Sequence, residues 1–192
     1  NNSDVTSMGQ LVELFDKYEV LDAINTLRII KGRYQAIQKF DQLVDSPQSI
    51  RPEFYQFIED NPWLVDPQWD YLDDEPEVRE ALDQNFAGEG GVANRVGFVA
   101  LGDSESVKAI DIRRPGSEIE EEELNQLKRY IDFLRGLKGS QPINDRKVEG
   151  YLIGQRLSNT QSVQQEYQRR MKPDDMYVRS YQDLREKAHR SH

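Results

Sequence analysis

Apolar residues recur three and four apart from about residue 8 to residue 45. Leu11, Leu14 and Phe15 come first, then Ile24, Leu27, Ile30, Tyr34, Ile37, Phe40 and Val44. That spacing lines one face of a helix, and it predicts two helices folded as a hairpin. A hairpin cannot bury such a stripe alone, so it must pack on the rest of the chain or on a partner. Asp45-Ser46-Pro47-Gln48-Ser49 breaks the pattern and reads as a linker. Residues 1–48 are therefore expected to be a helical hairpin or a link to a preceding region, and residues 49–192 a compact α/β unit.

Within that unit, residues 52–60 suit a short helix presenting Phe54, Phe57 and Ile58. It ends at Asn61-Pro62, because proline disfavours helix in the residue before it. Trp63-Leu64 reads as an apolar anchor rather than a platform for bases. Residues 75–85 suit a further helix, and Gly88–Gly91 a loop. Two strands follow, Asn94–Leu101 and Val107–Arg113, joined by a turn at Gly102-Asp103-Ser104-Glu105. Ser117 and Glu120 fit a capping box that opens a helix, whose buried face is Leu124, Leu127, Ile131, Leu134 and Leu137. The acids Glu120 to Glu123 suit the positive end of its dipole better than a metal site. Val148–Gly154 reads as a third strand and residues 160–171 as a helix. Met176-Tyr177-Val178 reads as a short strand and Tyr181 to Arg190 as a last helix.

Composition narrows the class. Of 192 residues, 36% are hydrophobic and 31% charged, and there is no cysteine. Disulfide and thiolate-zinc frameworks are thereby excluded, and a cytoplasmic protein is expected. No apolar run approaches a membrane span and no leader pattern is present, so no membrane partner is expected. The net charge of −10 is uneven: residues 51–91 hold twelve acids against two arginines, whereas residues 167–192 hold seven Lys/Arg against four acids. Solvated faces of mixed charge account for most of this, yet a basic surface able to meet phosphate is compatible with it. His189 and His192 sit in a tail and make a poor metal pair. Gly102-Asp103 lacks the flanking glycines and lysine of a phosphate-cradling loop. The chain opens on Asn1 rather than Met, which predicts a piece of a longer protein.

The chemistry sits on the second strand. Asp111 and Arg113 are two apart, so they point to one face and can address one phosphate. Phosphodiester hydrolysis needs carboxylates that hold Mg²⁺ or Mn²⁺ and a cation near the attacking water. The strand pair resembles the PD…(D/E)xK motif of metal-dependent nucleases, and more of the chain resembles the Shedu-type nuclease domain of anti-phage defence. Phe57-Ile58-Glu59-Asp60-Asn61-Pro62-Trp63-Leu64-Val65 is similar to that family's opening "NPWLL" signature, and Arg95–Leu101 to its "RPDFvl" strand. Ala109–Gly116 is similar to its "vvElKrPg", Glu123–Tyr130 to its "eLrQlxrY" helix, and Val148–Gly154 and Tyr177–Leu184 to its later strand and ending. The resemblance spans roughly residues 50–190.

It implies a restriction-endonuclease-like central mixed sheet flanked by helices. It also implies a site built from Asp111, Arg113, Glu59 and Gln126, with Asp111 and Glu59 as metal ligands. Nucleic acid, DNA rather than RNA, would meet Arg95, Arg113, Arg114 and Tyr130. Longer bacterial relatives imply an ATPase or sensor domain ahead of these residues, and nucleases of this fold imply homo-oligomers. This chain departs from the pattern in three places. Gly97 stands where the family's first strand has a metal-binding Asp, Asp111 replaces Glu, and Arg113 replaces Lys. Arginine keeps the charge but effectively never gives up its proton. Glu59 and Asp103 are the candidates to replace the missing acid in part. Two readings follow: a degenerate nuclease fold retained for binding nucleic acid or for assembly, and an active Mg²⁺- or Mn²⁺-dependent endonuclease with a reduced Asp-x-Arg site.

Overall fold

A computed structural model describes residues 2–46, 51–69, 73–74, 76–86, 98–101, 106–137, 143 and 145–191. The chain runs α1 (Asn2–Asp45), α2 (Arg51–Asp60), a 3₁₀ turn (Pro62–Leu64), β1 (Asp73–Asp74), α3 (Pro76–Asn85), β2 (Phe98–Leu101) and β3 (Ser106–Ile112). It continues with α4 (Glu121–Gly136), β4 (Lys147–Gly154), α5 (Gln161–Glu166), a π-type turn (Tyr167–Met171), β5 (Met176–Ser180) and α6 (Tyr181–Ser191). The five strands lie in chain order across one mixed sheet. β1, β2 and β3 pair antiparallel, whereas β3, β4 and β5 pair parallel. Both parallel links are crossovers carrying helix, as parallel pairing requires.

Helices cover both faces. On one, Ile110 and Ile112 of β3 and Ile153 of β4 pack with Phe54 and Ile58 of α2, Trp63, and Tyr181 and Leu184 of α6. On the other, Val107 and Ala109 of β3 and Leu152 of β4 pack with Val78 and Leu82 of α3 and with Leu124, Leu127 and Ile131 of α4. The two-residue alternation of β3 therefore splits its side chains between two cores, and Asp111 falls on the α4 side with Val107 and Ala109.

α4 approaches the sheet closely over Gly150. A Cβ there would meet Ile131 Cδ1 head-on, with Ile131 Cγ1 at 3.1 Å and Leu127 Cδ2 at 3.2 Å. Gly150 thus sets how near the α4 side chains come to β4.

Two expectations are corrected. The N-terminal segment is a single helix of 44 residues, not a hairpin. Between Gln10 and Lys31 there is neither proline nor glycine, so nothing interrupts the intrahelical ladder. The cap of α4 is Glu120, not Ser117. Ile119 is held extended, its N–H donating to the Arg156 carbonyl at 2.8 Å and its carbonyl accepting from Ser158 N–H at 2.9 Å. Helix can begin only after it. The capping-box spacing survives, moved by three residues: Glu120 N–H donates to Glu123 Oε2 at 2.9 Å.

Candidate functional site

Asp111 is the next-to-last residue of β3, and Arg113 continues the strand's pairing with β4 by donating its N–H to the Ile153 carbonyl at 2.7 Å. Both side chains are buried, Asp111 at 1% exposure and Arg113 at 8%. Arg113 Nη2 lies 2.9 Å from Asp111 Oδ2 and donates to Gln126 Oε1 at 2.6 Å. Gln126 Nε2 donates in turn to the Tyr130 hydroxyl oxygen at 2.5 Å. Gln126 and Tyr130 are four apart on α4, so one helix face presents both. The result is a continuous polar chain, Asp111–Arg113–Gln126–Tyr130, between the sheet and α4.

Its surroundings are apolar. The Phe86 ring meets Tyr130 edge-on with centroids 4.9 Å apart, and Leu124, Leu127 and Ile131 flank it. Burial, helped by the charge of Asp111, pushes the Tyr130 phenol up to about 12, against the pull of Gln126 and Arg113. Tyr130 is therefore a neutral hydrogen-bonding group at ordinary pH. From the other face of the sheet, the Tyr181 hydroxyl donates to the Arg113 carbonyl. The backbone that carries the guanidinium is thus fixed by α6 while its tip is fixed by α4.

Four residues singled out from sequence, Asp111, Arg113, Gln126 and Tyr130, are brought together. Arg114 is next to them but turned outward and exposed, its Nε 3.3 Å from Ser117 Oγ. Glu59 is half-buried in the last turn of α2, a helix packed on the opposite face of the sheet from α4. Arg95, Gly97 and Asp103 lie outside the described residues. Among the described residues, no group of three or more His, Asp or Glu side chains is gathered where it could hold a metal ion. The β3 acid is in contact with a guanidinium, and Glu59 stands on the other side of the sheet from it.

A second polar cluster was not foreseen. Lys108, only 4% exposed, lies on the α2–α6 side of β3. Its Nζ donates to Ser106 Oγ at 2.5 Å, lies 3.5 Å from Glu149 Oε2 and sits 5.2 Å from the centre of the Trp69 ring. Glu149 also accepts from the Tyr151 hydroxyl at 3.4 Å, and burial, then Glu149, pushes that phenol up. The signal was a lysine in phase with Ile110 and Ile112. It became readable only once Glu149 was known to sit opposite Lys108 on the neighbouring strand. With its partners in place, Lys108 is a satisfied buried cation.

Searches of this chain against protein-family models, curated proteins and solved structures find no match. Among the described residues no helix is long and apolar enough to cross a membrane.

Proposed function

We propose that this chain is a nuclease-like domain of the Shedu type that no longer cuts and instead binds nucleic acid, DNA rather than RNA. Its setting would be a cytoplasmic defence or DNA-processing protein. The observation that carries the reading is the commitment of Arg113. Its Nη2 lies 2.9 Å from Asp111 Oδ2 and donates to Gln126 Oε1 at 2.6 Å. An arginine stays protonated, so it neutralises the carboxylate that a metal would need and cannot serve as a base. A restriction-endonuclease-like arrangement is supported by the strand order, an antiparallel meander followed by a helical crossover to a parallel strand.

Arg113 and the exposed Arg114 follow the carboxyl end of β3, beside that of its parallel neighbour β4. Arg114, exposed beside the neutralised Asp111–Arg113 pair, is the residue proposed to meet a phosphate from solvent.

Plasmid and linear DNA incubated with the full chain in Mn²⁺ should stay intact, while a labelled duplex should bind with an affinity that falls steeply with salt. Arg114→Ala should weaken binding uniformly across sequences and lower the salt slope by about one phosphate contact. Mn²⁺-dependent cutting that Asp111→Ala abolishes would overturn the noncatalytic reading in favour of a reduced Asp-x-Arg nuclease site. No salt-dependent binding at all would overturn the nucleic-acid role.

A further inference from the structure

β5 ends the strand order, so among the described residues one of its edges faces no further strand. Such an edge offers unpaired N–H and C=O groups to any extended segment that meets it. Which groups these are follows from the pairing with β4. The Asp175 carbonyl accepts from Gly150 N–H at 3.0 Å, and the two strands then run parallel from Met176 to Ser180. Backbone groups alternate sides along a strand. Asp175, Tyr177 and Arg179 therefore turn theirs to β4, and Met176, Val178 and Ser180 turn theirs away from it.

Side chains meet the outward groups. Val178 N–H donates to the Tyr167 hydroxyl oxygen at 3.2 Å, and the Val178 carbonyl accepts from Arg179 Nη1 at 3.3 Å. Ser180 N–H donates to Asp183 Oδ2 at 3.1 Å. Tyr167 opens the π-type turn, Arg179 belongs to β5 itself, and Asp183 stands in the first turn of α6. Each is held by something else as well. Tyr167 packs against the α4-side core, and the Arg179 guanidinium lies 5.5 Å from the centre of the Tyr177 ring. Asp183 N–H donates back to Ser180 Oγ at 3.0 Å, a reciprocal pair with capping-box geometry. At an open sheet edge water alone would satisfy these backbone groups. The side chains do what water does not: they occupy the positions that an added strand needs.

We propose that Tyr167, Arg179 and Asp183 seal the β5 edge against strand addition, so that no extended segment of another chain can lengthen the sheet there. This rests on β5 and its neighbours and is independent of the nucleic-acid reading. Amide hydrogen exchange on the full chain reads the seal directly. Tyr167→Phe keeps the ring and removes only the hydroxyl, so Val178 N–H should exchange about fivefold faster or more. Tyr177 and Arg179, whose amides face β4, should keep their wild-type rates. With Arg179→Ala and Asp183→Ala added, the chain should form assemblies heavier than wild type at the same concentration. Tyr167→Phe with Arg179→Ala alone, which leaves the α6 cap whole, should do so more weakly. Within these assemblies protection of Val178 should return as concentration rises, because an added strand then pairs with it. Val178 exchanging alike in wild type and Tyr167→Phe would overturn the seal. Natively folded double and triple variants that keep the wild-type mass at every soluble concentration would overturn its role in keeping other strands away.

Discussion

Arg113 is held from three directions: by a carboxylate on its own strand, by an amide on α4 and, through its carbonyl, by a phenol on α6. Removing two charges from water is expensive, and only good geometry with further hydrogen bonds offsets that cost. Gln126 and Tyr130 supply those bonds on the α4 side, which explains a glutamine and a tyrosine on an otherwise leucine-rich helix face. Tyr130 has a pH consequence whose sign is fixed. Its phenol is raised from 10.0 to about 12 in the folded chain, so folding retains a proton that the unfolded chain gives up first. The stability tied to it is whole below about pH 10 and lost as pH climbs through 12. Urea midpoints should fall across that window, and less steeply in Tyr130→Phe. Parallel losses in both proteins would show that the phenol is not the group responsible. The Asp-x-Arg spacing and the Gln126/Tyr130 pair were legible in the sequence because period two and period 3.6 fix faces. That the guanidinium turns inward rather than outward was not, since it depends on how close α4 comes.

Closeness is decided at the scale of elements. Gly150 on β4 lets Ile131 and Leu127 of α4 reach the sheet. Gly150→Ala should push the helix away and cost about 1–3 kcal/mol of overpacking, read in chemical denaturation. Gly32 is the opposite case: it lies inside α1 with nothing within 4 Å of a built Cβ. Gly32→Ala should raise helix content and add up to about 1 kcal/mol to the helix. A loss of helicity there would contradict the continuous helix. Most elements of the α/β unit could be placed from periodicity and punctuation, as with α2, which stops before Pro62. The hairpin expectation failed because the apolar spacing of α1 drifts round the helix axis, and that drift imitates two segments. The cap of α4 failed because the pairing of Ile119 with the chain after β4 is a long-range constraint that no local motif encodes.

For the whole molecule, one sheet separates two polar clusters embedded in two cores. Asp111 and Arg113 face α4, and Lys108 and Glu149 lie on the side of α2 and α6. The Lys108–Glu149 contact joins β3 to β4 and the Arg113–Gln126 bond joins β3 to α4, so each cluster resists sliding of those elements past one another. α1 is a helix of about 66 Å at the usual rise, exposed from Lys17 to Gly32 and docked through Ile37, Phe40 and Leu43.

The commitment of Arg113 to Asp111 is tested most directly by a double-mutant cycle read through global unfolding in urea. Asp111→Ala and Arg113→Ala should each cost about 3 kcal/mol or more, because each leaves a buried charge alone. The double variant should cost far less than their sum, with a coupling of about 2 kcal/mol. Additive losses would contradict the account. So would a gain in stability on Asp111→Asn, the behaviour of a carboxylate kept unneutralised for a metal.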